Sequence, residues 1–281
     1  MTSSLESLNR LLSLRETNPF KLVGHKQVRD EIKIVEAHFD PKQFDTLEIL
    51  HFTDVQWGSK ECKEDRVIEY RDWVLSKPNR FVLFGGDMID AATSQSVASP
   101  YSNKYDPWTQ IQTFCEVMMP MAHRILGYVG GNHENRIARK SDGPDAAKII
   151  AQYLQIPFSL GKQLIDVHFG KHDPFKIDLW HGFGSAKTKG AKAQALARFM
   201  EQGDSQLYLM GHLHDAIIIP DWRVRRTGKG DVKLHKIMGA MSSSFLEFWG
   251  GYGETMGLRA TDIMMARAVL EPNGHWELTL R

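Results

Sequence analysis

Short apolar runs that each break off into a turn of glycine and polar residues recur along this chain. That rhythm constrains its fold more than any other feature. Leu-Glu-Ile-Leu-His-Phe-Thr (47–53), Phe-Val-Leu-Phe (81–84), Ile-Leu-Gly-Tyr-Val-Gly (125–130), Phe-Lys-Ile-Asp-Leu-Trp-His (175–181) and Gln-Leu-Tyr-Leu-Met-Gly (206–211) are too short for helices. Their density of apolar side chains suits strands covered on both faces. Between them lie stretches with helical spacing: 61–77, with Val67, Tyr70 and Val74 on one face and a stop before Pro78, then 108–124, 145–154 and 191–202. Strand, loop, helix and strand in series predict an α/β sheet. A further strand is expected at 164–169, and from Ile217 the chain turns β-rich, with a hairpin about 227–231 and late strands near 266–270 and 276–280.

Composition narrows the class without choosing a function. With 281 residues, 42% hydrophobic and 25% charged, the chain matches an ordinary globular domain and excludes a disordered tail, a collagen-like fibre or a disulfide scaffold. A net charge of +1 means that no global field announces a nucleic-acid or membrane partner. Cys62 and Cys115 have no CxxC companion, which fits structural thiols in a reducing compartment. The first ten residues lack the basic and apolar regions of a signal peptide, and no run of about 18 apolar residues occurs, so a cytoplasmic protein without a membrane span is expected. Leu5, Leu8, Leu11 and Leu12 keep helical spacing. Residues 1–30 are therefore expected to form an amphipathic helix and lead-in, docked on the chain's own domain or serving a partner or homodimer. Residues 31–281 are expected to be a single domain.

The chemistry gathers where the apolar runs end. Thr-Asp-Val-Gln supplies Asp54 and Gln56, Gly-Gly-Asp supplies Asp87, and Gly-Gly-Asn-His-Glu supplies Asn132, His133 and Glu134. Trp-His-Gly supplies His181, and Gly-His-Leu-His supplies His212 and His214. Glycine permits the sharp turn that aims a side chain above a sheet edge, and ligands of open α/β sheets bind at the carboxyl ends of strands. Taken singly, an Asp after a strand is an ordinary turn residue, and His51, His168 and His172 read as core histidines. Five such clusters in order leave little room for coincidence. Carboxylates, amides and imidazoles together suit Mn, Fe, Zn or Mg.

This series resembles the calcineurin-like metallophosphoesterases over roughly residues 47–215. The resemblance implies a four-layer αββα sandwich of the metallophosphoesterase type, with two divalent metal ions at the sheet edge. It makes Asp87 the bridging ligand, assigns Asp54, Gln56 and His214 to one site and Asn132, His181 and His212 to the other. It makes His133 the general acid, with Glu134 orienting it and Arg136 near enough to contact phosphate. One position departs from the pattern: Gln56 stands where the family has histidine. A glutamine offers a hard amide oxygen, a weaker donor than imidazole. Three outcomes are open: it ligates and favours Mn or Mg, a water replaces it, or that site is weakly occupied and leaves a mononuclear or regulatory centre. Ligation, with Mn the preferred metal, is the expected one.

Family membership fixes the bond and not the molecule. Basic residues (Lys187, Lys189, Lys192 and Arg198, then Arg223, Arg225, Arg226, Lys229, Lys233 and Lys236) and loop aromatics (Trp57, Tyr101, Tyr105, Trp108, Trp249 and Tyr252) favour a nucleotide or nucleic-acid phosphodiester such as DNA. A phosphomonoesterase, a dinucleotide hydrolase and a catalytically silent metal-stabilised binding module are the other readings. The ordinary roles of such residues, lysines on a solvated helix face and aromatics in the core, compete with that reading.

Overall fold

A computed structural model describes residues 20–24, 27–28, 31–93, 100–140, 145–226, 228 and 230–281. The helix expected at Leu5–Leu12 lies outside them. The strands in chain order are β1 (Phe20–Gly24), β2 (Gln27–Val28), β3 (Glu31–Ile32), β4 (Ile34–Phe39), β5 (Leu47–Phe52), β6 (Arg80–Phe84), β7 (Ile125–Val129), β8 (Phe158–Ser159), β9 (Gln163–Phe169), β10 (Phe175–Trp180), β11 (Leu207–Met210), β12 (Ile217–Arg226), β13 (Val232–Met241), β14 (Ala266–Leu270) and β15 (Trp276–Leu280). They form a six-stranded sheet, β15-β14-β5-β6-β7-β8, and a seven-stranded sheet, β1-β4-β9-β10-β11-β13-β12, while β2 and β3 pair separately. Strands β5 to β8 run parallel, as do β10, β11 and β13. Their carboxyl ends carry the polar turns noted in the sequence.

Alternation along β6 explains the layering. Phe81 and Leu83 face the second sheet, where they pack with Ile49, Leu126, Ile165, Ile177 and Leu209. Val82 and Phe84 face the opposite way, into a core with Val67, Phe114 and Ile150 from helices Glu64–Leu75, Pro107–Met118 and Ala146–Leu154. Helix Lys189–Met200 covers the outer face of the seven-stranded sheet through Leu196, Phe199 and Met200 against Tyr208 and Met210. The order helix, sheet, sheet, helix is the four-layer αββα sandwich. Each buried aliphatic or aromatic side chain of these cores contributes about 1.5–3 kcal/mol by leaving water.

Local chemistry sets the helix ends. Asp106 accepts hydrogen bonds from the backbone N–H of Trp108 and Thr109, and Pro107 fills the first position, where no N–H is needed. The helix expected over 108–124 ends at Met118, and a 3-10 stretch, Met119–Arg124, takes over because Pro120 cannot donate to the α ladder. The expected hairpin is β12 paired with β13, from Ile217 opposite Met241 to Arg226 opposite Val232. A short helix at Asn135–Lys140 has no counterpart in the sequence reading. Among the described residues, no helix is long and apolar enough to cross a membrane.

Candidate metal centre

Five of the expected residues share an uncommon backbone. Asp54, Gln56, Asp87, His212 and His214 all have positive φ, between 47° and 67°. Non-glycine residues adopt this region at a cost that surrounding structure must hold, and such strain gathers at functional sites. Here it turns each strand end sharply so that its side chain lies over the seam between the two sheets. Gly131 shows how tight the seam is: a Cβ there would meet Asp87 Oδ1 at 2.0 Å.

Two neighbouring groups of donors result. In the first, His214 Nε2 lies 3.1 Å from Asp54 Oδ1 and 3.2 Å from Gln56 Nε2, and a turn of the amide about its last bond would bring the Gln56 oxygen to that place. In the second, His181 Nε2 lies 3.2 Å from Asp87 Oδ2 and 3.1 Å from Asn132 Oδ1. His212 joins the second group, with one ligand atom each from Asp87, His181 and His212 within 4.8 Å of one another. The carboxylates are buried, Asp54 at 0% and Asp87 at 1% exposure.

The remaining ring nitrogens identify which atoms face the seam. His181 Nδ1–H donates to the Gly85 carbonyl at 2.8 Å, and His212 Nε2–H donates to the Gly184 carbonyl at 2.7 Å. His181 Nε2 and His212 Nδ1 are the ring atoms left to face the seam, and as neutral imidazoles they would present lone pairs there, the arrangement that metal-ligating histidines use. With both rings neutral the second group would consist of acceptors alone: carboxylate, amide oxygen and two ring nitrogens. Such a set suits a cation, because acceptors left facing each other in a buried site repel. The donor set therefore fits divalent metal.

Charge in the seam gives the same result. Burial pushes the Asp87 carboxyl up, but the imidazoles of His133 and His181 outweigh it and hold the group well below its ordinary value. For His181, burial lowers the imidazole and the Asp87, Asp54 and Glu134 carboxylates raise it further, to about 10. The buried negative charge thus draws a positive charge into the seam.

The centre resembles that of the calcineurin-like metallophosphoesterases. No protein-family model matches the chain. No curated protein matches it either. Among solved structures it is similar to a conserved uncharacterized protein of Streptococcus pneumoniae described as a predicted phosphoesterase, at 16% identity over 85% of this chain and 99% of that one, with a TM-score of 0.36. A metallophosphoesterase from Sphaerobacter thermophilus shares 16% identity over 84% of this chain and 87% of that one, with a TM-score of 0.40. An NAD nucleotidase of Haemophilus influenzae shares 13% identity over 83% of this chain and 49% of that one, with a TM-score of 0.41.

Asp90, which the sequence reading did not single out, holds His133. His133 Nδ1 lies 2.9 Å from Asp90 Oδ1 and 2.9 Å from the Asp90 carbonyl, and Arg136 Nη2 donates to His133 Nε2 at 2.7 Å. Glu134, expected to orient His133, is placed otherwise. Its buried carboxylate accepts from the backbone N–H of Asp87, Met88 and Gly131 and from the Tyr128 hydroxyl, at 2.6–3.2 Å. It pins the two turns that carry Asp87 and Asn132. Burial and the Asp87 charge push its carboxyl up to about 7.

Several expected surface features are engaged elsewhere. Trp57 is buried and donates to Thr113, so it is no stacking platform. Lys192 is buried 3.3 Å from Asp215, and Arg223 donates to the Gly203 and Met200 carbonyls, so both basic segments are partly used within the fold. Tyr101, Trp108 and Trp249 are exposed. Cys62 and Cys115 are buried free thiols. His51 is a core histidine, bonded through Nδ1 to Ser242. By contrast His168, on β9, is half-buried against His38, and His172 is exposed in the turn between β9 and β10.

Proposed function

We propose that the protein is a metal-dependent phosphoester hydrolase that acts on nucleotide or nucleic-acid phosphodiesters through a dinuclear centre. The observation that carries this reading is the convergence of Asp87, Asn132, His181 and His212 beside Asp54, Gln56 and His214. Asp54, Gln56 and His214 would hold one ion, Asn132, His181 and His212 the other, with Asp87 between them. Bound there, divalent ions supply Lewis acidity toward the phosphoryl oxygens and an acidified water as nucleophile.

The chain's own groups do the rest. Asn132 and Gln56 offer ligand oxygens without negative charge, so the seam does not repel a phosphate. Asp90 accepts the His133 Nδ1 proton and fixes the ring with Nε2 toward the centre, 3.6 Å from Asp87 Oδ2. Arg136 now occupies Nε2. An anionic substrate draws that guanidinium onto a phosphate oxygen, which frees Nε2 to take up a proton from solvent and pass it to the leaving oxygen.

His133→Ala is expected to keep the metal content and lower turnover by roughly 10²–10⁴-fold, the range for a general acid. Equal turnover in wild type and variant would remove that role. Gln56→His replaces a hard oxygen donor with imidazole, and is expected to shift metal preference from Mn toward Zn in competition dialysis. An unchanged preference would mean that Gln56 is not a ligand.

The deciding experiment strips the protein and reloads it with Mn, Mg, Zn or Fe. Each form is assayed on single- and double-stranded DNA, bis-p-nitrophenyl phosphate and p-nitrophenyl phosphate. Two ions per chain with cleavage of diester supports the proposal. Cleavage of the monoester alone would make it a phosphatase, and one ion with no turnover a metal-stabilised binding module.

A further inference from the structure

A cavity of about 430 Å³ opens beside the centre, with His181 in the walls of both. Its volume lies in the range of small-molecule sites. Asn132, a proposed ligand, and Asn135 and Arg136 on the same turn and following helix give the cavity polar lining, and Leu160, Trp180 and Phe183 give it apolar lining. A phosphate held at the centre would have its ester substituent in this space. Such mixed lining suits the order phosphate, sugar and flat ring.

Phe183 gives that order its specificity. Its ring is 81% exposed. Single exposed apolar residues are ordinary, but this one is held in place. Gly182 and Gly184 on either side have φ of +108° and +111°. A Cβ at Gly182 would lie 3.1 Å from His212 Cβ, and the Gly184 carbonyl accepts from His212 Nε2. Both ends of the loop are thus fastened to the centre while the ring stands at the cavity mouth. Asn135 Nδ2 donates to the Gly131 carbonyl at 2.8 Å, which fixes the amide and leaves its oxygen as an acceptor for a hydroxyl.

We infer that this cavity is a base-binding subsite and that the substrate is a phosphoester of a nucleoside, with the base stacked on Phe183 and the sugar between Asn132 and Asn135. The inference rests on the phosphoesterase reading and adds the place in the fold where the nucleoside is held and the residue that stacks on its base.

The test compares adenosine monophosphate with ribose phosphate as ligands of the manganese-loaded protein, by titration calorimetry, for wild type, Phe183→Ala and Phe183→Trp. Metal content is measured in each. Ring-on-base stacking corresponds to roughly 5- to 150-fold in affinity. Adenosine monophosphate is expected to bind the wild type more tightly than ribose phosphate by such a factor, Phe183→Ala to erase the difference, and Phe183→Trp to retain it. Equal binding of the two ligands by the wild type, binding of neither, or a Phe183→Ala variant that keeps the preference would overturn the subsite. Hydrolysis of bis-p-nitrophenyl phosphate separates the two readings. If that ester is cleaved while the base makes no difference, the hydrolase stands and the subsite falls; if no ester is cleaved, the hydrolase falls with it.

Discussion

Asp87→Asn is expected to remove metal retention and turnover together. The carboxylate sits at 1% exposure, with Oδ1 accepting from the His133 backbone N–H at 2.8 Å and Oδ2 3.2 Å from His181 Nε2. Asparagine keeps the shape and one acceptor, but places an amide N–H₂ or a neutral oxygen where the shared negative charge stood. A buried cation needs that charge to offset its lost hydration. The loss of several kcal/mol at the transition state corresponds to a fall in rate of at least about 10³-fold. Metal content after dialysis, measured with the rate on bis-p-nitrophenyl phosphate, checks this. A variant that retains both at wild-type level would exclude Asp87 from the centre.

Glu134→Ala should be the most destabilising single change near the site. Three backbone N–H groups and the Tyr128 hydroxyl converge on this carboxylate. Removal leaves four buried donors without partners, each costing about 1–3 kcal/mol, for a sum of roughly 4–12 kcal/mol. That corresponds to a fall in Tm of the order of 10 °C for a chain of this size. Glu134→Gln keeps one oxygen and is expected to lie between. Thermal unfolding of the metal-free forms is the measurement. A Tm for Glu134→Ala within about 2 °C of wild type would show that the turns at Asp87 and Asn132 stand without it.

The parts of this picture legible in the sequence are those with local signals. β5, β6, β7, β10 and β11 announce themselves as short apolar runs, and each of the residues Asp54, Asp87, Asn132, His181 and His212 follows one within a few positions. Cores on both faces of β6 could be anticipated because its apolar run does not alternate with polar residues. Asp90 was not legible: it lies 43 positions from His133, in a stretch that reads as an apolar loop, and its role exists only once two turns meet. The role of Glu134 was misjudged for a related reason. Adjacency to His133 in sequence suggested that it acts on that ring, whereas the turn after β7 directs the two side chains apart, Glu134 inward under the Asp87 turn and His133 toward the cleft. The burial of Lys192 within its basic segment was likewise not legible, because its partner, Asp215, comes from another element.

The seam also joins the two halves of the sandwich. Asp54, Gln56, Asp87 and Asn132 follow strands of one sheet, whereas His181, His212 and His214 follow strands of the other. Polar bonds cross between them: Asp54 accepts from the His212 backbone N–H at 3.0 Å, and Gly85 accepts from His181. Three of the seven side chains thus reach the centre only when the sheets have met in register. An ion held by the proposed centre would act as a clasp between the layers. Its contribution to stability would rise with the concentration of free cation, so the fold's resistance to heat would become a gauge of how much metal surrounds it.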